Sequence, residues 1–138
     1  MMLRQWLYGL VLTSLLMPFT AAAEDGVSTT EIRVGMVNAQ SGPAADLGLG
    51  MYHGALGYFQ RVNAAGGVHG RKLLLISKDD GYEPSRTAAQ TRLLVKAHEV
   101  FALLGYVGTP TSRAALPIAL QGQVPYLFPF TGAEFLRT

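Results

Sequence analysis

Residues 108–112 read Gly-Thr-Pro-Thr-Ser, three hydroxyls and a proline at a point where a helix would open. The first amides of a helix have no acceptor inside it, and the positive end of the helix dipole lies there, so a carboxylate is a natural guest. Phe130-Thr131-Gly132 offers similar ingredients further along the chain, with the Phe130 carbonyl as an acceptor for an ammonium group. A small zwitterion needs this pairing of donors for its carboxylate and acceptors for its amine. Gly108, Thr109, Phe130, Thr131 and Gly132 are the candidate binding residues on this reading. The plainer alternative is that Thr109 is a helix N-cap and Thr131 a turn residue, roles that such residue types fill often.

Other constellations carry less. Gly48, Gly50 and Gly54 miss the dinucleotide fingerprint, because the third glycine is one residue late and lies inside a helix. Gly50, Gly54 and Gly57 are better read as allowing that helix to approach the sheet. Residues 66–72 lack the Ser/Thr that follows the lysine of a phosphate loop and precede a strand, so they form a turn. His53, His69 and His98 fall on three separate elements without the spacing of metal ligands, so neither metal nor cofactor is expected. Asp79 and Asp80, at a strand end, are expected to hold the following turn and the next helix start. Cysteine is absent, which removes thiolate chemistry, disulfides and Cys-based metal sites. No Gly-x-Ser-x-Gly elbow is present either, and an enzyme is not supported.

The elements that must position the candidates follow from periodicity. Residues 31–39 begin with period-two alternation and read as a strand; 47–65 read as a helix with Met51, Ala55, Phe59 and Val62 on one face. A strand at 71–77 and a helix at 84–98, with Pro84 in its first turn, come next. The continuously apolar 100–105 is a buried strand. A third helix opens at Thr109-Pro110, and Pro117 should kink or interrupt it. Residues 124–128 make a fourth strand, and another helix begins around 131–134. Strict alternation predicts an α/β fold: a parallel sheet, right-handed crossovers and helices on both faces. In such sheets ligands sit beyond the carboxyl ends of the strands, where the candidate residues fall.

The 138 residues are 49% hydrophobic and 14% charged with a net charge of +2. A disordered tail is excluded by that apolar content, and no stripe of Lys or Arg offers a nucleic-acid footprint. Residues 1–23 form an address: Arg4, an apolar run from Trp6 to Phe19, then Ala21-Ala22-Ala23. That is a secretory signal pattern, and the run is shorter than the roughly 20 apolar residues of a spanning helix. Residues 24–138 are then the exported part. With no cysteine to carry a lipid and no stable membrane insertion after cleavage, it is expected to be free in the periplasm.

Residues 38–45 (Asn-Ala-Gln-Ser-Gly-Pro-Ala-Ala), 62–72 (Val-Asn-Ala-Ala-Gly-Gly-Val-His-Gly-Arg-Lys) and 79–84 (Asp-Asp-Gly-Tyr-Glu-Pro) resemble the start of type I periplasmic solute-binding proteins. Residues 105–112 and 129–134 continue the match in the same order. The resemblance is to the leucine/isoleucine/valine-binding-like receptors of ABC transporters, and it covers residues 24–138. It implies a two-lobed protein that closes on an amino acid or similar solute and delivers it to a membrane permease. By resemblance, the Gly108-Thr109 loop and the Phe130-Thr131-Gly132 loop hold the solute's two charged groups. Thr109 would give an N–H and a hydroxyl, Phe130 a carbonyl, and Thr131 or Gly132 another N–H. Leu47 stands where relatives present a ligand-contacting aromatic, and the Phe130 ring stands where branched-chain binders have a small residue. Two-lobed receptors are far longer, so residues 24–138 are expected to be an incomplete N-terminal lobe with weak or no affinity alone. A periplasmic sensing receptor of the same fold is the alternative function, and an exported α/β enzyme the more distant one.

Overall fold

The computed structural model describes residues 24–137; the proposed signal segment, residues 1–23, lies outside the described residues. Four strands alternate with three helices: β1 (Glu31–Asn38), α1 (Ala45–Ala64), β2 (Lys72–Asp79), α2 (Pro84–Lys96), β3 (Ala102–Leu104), α3 (Thr109–Gln121) and β4 (Tyr126–Leu127). A short 3-10 turn at Glu134–Leu136 follows, in place of the expected further helix. The strands form one parallel sheet in the order β2-β1-β3-β4. The chain thus moves from β1 to one side and then crosses to the other, which opens a crevice between the carboxyl ends of β1 and β3.

Alternation along the strands divides the helices between two faces. Val37 and Leu103 pack with Leu94 of α2 and with Ala115 and Ala119 of α3, all fully buried. Gly35 lies on this face too, where a Cβ would stand 2.8 Å from Leu94 Cδ1. Met36 and Leu104, one residue along, turn the other way and line a trough with Met51, Ala55 and Phe59 of α1. The sheet is therefore covered by α2 and α3 on one face and by α1 on the other.

One local expectation is corrected, and of the two outcomes expected at Pro117 one is excluded. Gly50, Gly54 and Gly57 do not bring α1 onto the sheet, since a Cβ at any of them would meet nothing within 4 Å. Gly48 does so instead: its Cβ would stand 1.7 Å from the Ala39 carbonyl oxygen, and it is the one buried residue of α1. Pro117 does not interrupt α3, which runs unbroken to Gln121. Both Pro117 and Arg113, whose carbonyl loses its helical donor, lie on the exposed side, so water can take the missing bond.

Candidate functional site

The two predicted rims are joined through backbone bonds beyond β3 and β4. Val107 and Phe130 form a parallel bridge; the Phe130 N–H donates to the Tyr106 carbonyl at 2.7 Å, and the Gly108 N–H to the Phe130 carbonyl at 3.1 Å. Gly108 takes φ 101°, ψ 152°, a conformation open only to glycine, and this turns the chain from β3 into α3. It also occupies the cap position, so Thr109 is the first helical residue and not the N-cap that its sequence position suggested. The Thr109 hydroxyl instead meets the Thr131 hydroxyl at 2.7 Å. Thr131 does hold its turn as well, accepting from the Ala133 N–H at 3.2 Å.

This arrangement decides which donors are available. The Gly108 N–H is engaged by Phe130, and the Thr131 N–H by the Pro129 carbonyl at 3.1 Å. Thr109 and Gly132 have no acceptor for their N–H groups among the described residues. The Phe130 carbonyl keeps one lone pair after accepting from Gly108. Thr109 is exposed, and Phe130 is 55% exposed. Behind the rim, the Thr111 hydroxyl donates to the Val107 carbonyl and at 3.0 Å to that of Gly108, which anchors the start of α3.

The neighbouring strand ends are tied to the same region. Asn38, fully buried, donates from Nδ2 to the Gly48 carbonyl at 3.0 Å and reaches the Gly105 carbonyl at 3.5 Å, closing the floor of the β1–β3 crevice. Leu47 lies beside Gly48 in the first turn of α1, 49% exposed at this end of the sheet. Asp79 accepts from the Gln40 N–H (2.8 Å), the Ser41 hydroxyl (2.6 Å) and the Gly81 N–H (2.9 Å), so it staples the loop after β1 to the turn after β2. Burial alone would raise its pKa, but those three donors and the Arg86 guanidinium outweigh it and hold the carboxyl below its usual range. Burial pushes Asp80 the other way, above the usual range, against the Thr87 hydroxyl and Tyr82 N–H that favour its charge. Both aspartates serve the turn, as their sequence position predicts.

Sequence reasoning named Tyr82 only within the 79–84 motif and gave it no role in the site. Its ring lies on Gly108, where a Cβ would stand 2.5 Å from Cε2 and 2.6 Å from the hydroxyl oxygen. An aromatic directly after the β2 carboxyl end was the available signal, since that end faces the same crevice. Among the described residues no group of three His, Asp or Glu side chains could hold a metal ion.

The sequence matches the model of the periplasmic binding protein family over residues 31–136. A possible leucine/isoleucine/valine-binding protein from Rhodopirellula baltica SH 1 superposes with a TM-score of 0.76 at 45% identity, over 85% of this chain and 31% of that one. A branched-chain amino acid transporter substrate-binding protein from Streptococcus pneumoniae, in complex with isoleucine, gives 0.65 at 30% identity over 70% of this chain and 28% of its own. The leucine-specific-binding protein of Salmonella typhimurium is 34% identical over 74 residues, 54% of this chain and 20% of that protein. The chain therefore spans less than a third of the length of these relatives. A match over most of its length, carried by the same parallel α/β sheet, places this chain in the periplasmic binding protein family.

Proposed function

We propose that this chain supplies part of the N-terminal lobe of a substrate-binding component of an ABC transporter. Its solute is an amino acid or a related small molecule bearing a carboxylate, which it passes to a membrane permease. The observation that carries this reading is the junction of the two rims. Thr109 and Thr131 pair their hydroxyls at 2.7 Å, and the Thr109 N–H, at the positive end of α3, has no acceptor among the described residues. The solute's carboxylate takes the Thr109 N–H and hydroxyl; the Gly132 N–H offers a further donor, and the free lone pair of the Phe130 carbonyl faces the amine. Leu47 and the Phe130 ring border the solute's side chain. Such a site binds and releases without making or breaking a covalent bond, so no enzymatic step is assigned.

Residues 1–23 act as a signal peptide on this proposal, and residues 24–138 work in the periplasm without a lipid anchor. Among the described residues no helix is long and apolar enough to cross a membrane. The test is calorimetric titration of the full-length gene product with leucine, isoleucine, valine, phenylalanine and alanine. Saturable binding in the micromolar range or tighter is expected for at least one of them, and binding of none contradicts the proposal.

A further inference from the structure

We infer that Tyr82 is a solute-contacting residue that selects for apolar or flat side chains. This rests on the proposed solute site and extends it to the turn after β2. Three observations converge on it. The ring covers Gly108 so closely that no side chain fits there, its Cζ standing 2.7 Å from a Cβ position. Tyr82 itself takes φ 67°, a backbone conformation that bulky residues avoid, and its N–H is fixed by Asp80 Oδ1 at 2.9 Å. The side chain is nevertheless not enclosed: Tyr82 is 37% exposed, and its hydroxyl has no hydrogen-bond partner among the described residues.

A tyrosine with a buried ring usually finds a partner for its hydroxyl within the protein; Tyr82 has none among the described residues. The hydroxyl end of its ring rests on Gly108, the residue before Thr109, and 37% of the residue is exposed. A solute whose carboxylate sits on Thr109 has its nearest substituents against that ring. The ring then gains most from leucine or phenylalanine and least from alanine, since the contact grows with the apolar area covered.

Titration of full-length wild type, Tyr82→Phe, Tyr82→Leu and Tyr82→Ala with leucine, phenylalanine and alanine separates the possibilities. Tyr82→Ala is expected to weaken the best-bound large solute at least tenfold while changing alanine less than threefold. Tyr82→Leu fills the space on Gly108 without an aromatic plane and should lower the preference for phenylalanine over leucine. Tyr82→Phe should keep that preference. Equal losses for large and small solutes would make Tyr82 a prop, and unchanged affinities would remove it from the site; either result overturns this inference while leaving the carboxylate site standing. A wild type that binds none of the three sinks this inference, and the proposed amino acid site with it.

Discussion

Thr109 shows how one residue can be both structural and available. Its hydroxyl pairs with Thr131, which links α3 to the loop after β4, while its N–H has no acceptor among the described residues and is the donor proposed for the solute carboxylate. Thr109→Ala in the full-length protein is expected to weaken solute binding by about 1–3 kcal/mol, since a charge-assisted bond is lost; calorimetry reads this directly, and unchanged affinity would reduce Thr109 to a link between loops. The two aspartates after β2 lend themselves to a pH test. The folded pKa of Asp79 is lowered, so its stabilisation is present above the unfolded value and is lost as pH falls through the folded one. Asp80 is raised, so its contribution runs the opposite way, full below the unfolded value and lost as pH rises through the folded one. Relative to wild type, Asp79→Asn should therefore compare better as pH falls below about 4, whereas Asp80→Asn should compare better as pH rises from about 4 through the raised folded value. Denaturant unfolding at a series of pH values checks both signs, and parallel shifts of the two variants would refute the assignment.

Among the elements, apolar patterning together with proline and glycine boundaries was enough to find every strand and every main helix, because each must bury apolar residues against its neighbours and stop where the chain turns. Lengths were less legible. The apolar run at 100–105 yields only Ala102–Leu104 as strand, and 124–128 only Tyr126–Leu127. Apolar content signals burial, whereas a ladder also needs a partner in register; Pro125, moreover, has no N–H to donate. The glycines of α1 show the same limit. Sequence spacing cannot tell which face of a helix touches its neighbour, so Gly50, Gly54 and Gly57 were favoured over Gly48. The structure turns this into a paired prediction. Gly48→Ala forces a Cβ into the Ala39 carbonyl and should destabilise by about 3 kcal/mol or more. Gly54→Ala meets open space and should stabilise α1 by about 0.5–1 kcal/mol. Thermal melts of the two variants must move in opposite directions. The rim loops were legible by composition alone, but the engagement of the Gly108 N–H and the approach of Tyr82 are tertiary facts that no local pattern encodes.

For the molecule as a whole, the uneven cover of the sheet matters most. On the α1 face an apolar trough of about 410 Å³ lies open, with Phe128 74% and Tyr58 59% exposed at its walls. Open apolar surface of this kind is an association liability, and the chain spans under a third of its relatives' length. Residues 24–138 prepared alone should consequently bind a hydrophobic dye and self-associate, and Phe128→Ser with Tyr58→Ser should lower the dye signal at least twofold. On the proposed function, in which these residues are one wall of the site, they should also bind solute at least a hundredfold more weakly than a longer two-lobed protein. Sequence patterning placed the candidate residues beyond the carboxyl ends of the strands; which solute atoms they touch depends on geometry.

A crystal structure of the full-length protein with its tightest-binding amino acid tests the central claim most directly. The account predicts a solute carboxylate oxygen within hydrogen-bonding distance of the Thr109 N–H and hydroxyl, with the amine directed towards the Phe130 carbonyl. A solute bound with its carboxylate on other residues, leaving the Thr109 amide in water, would contradict it.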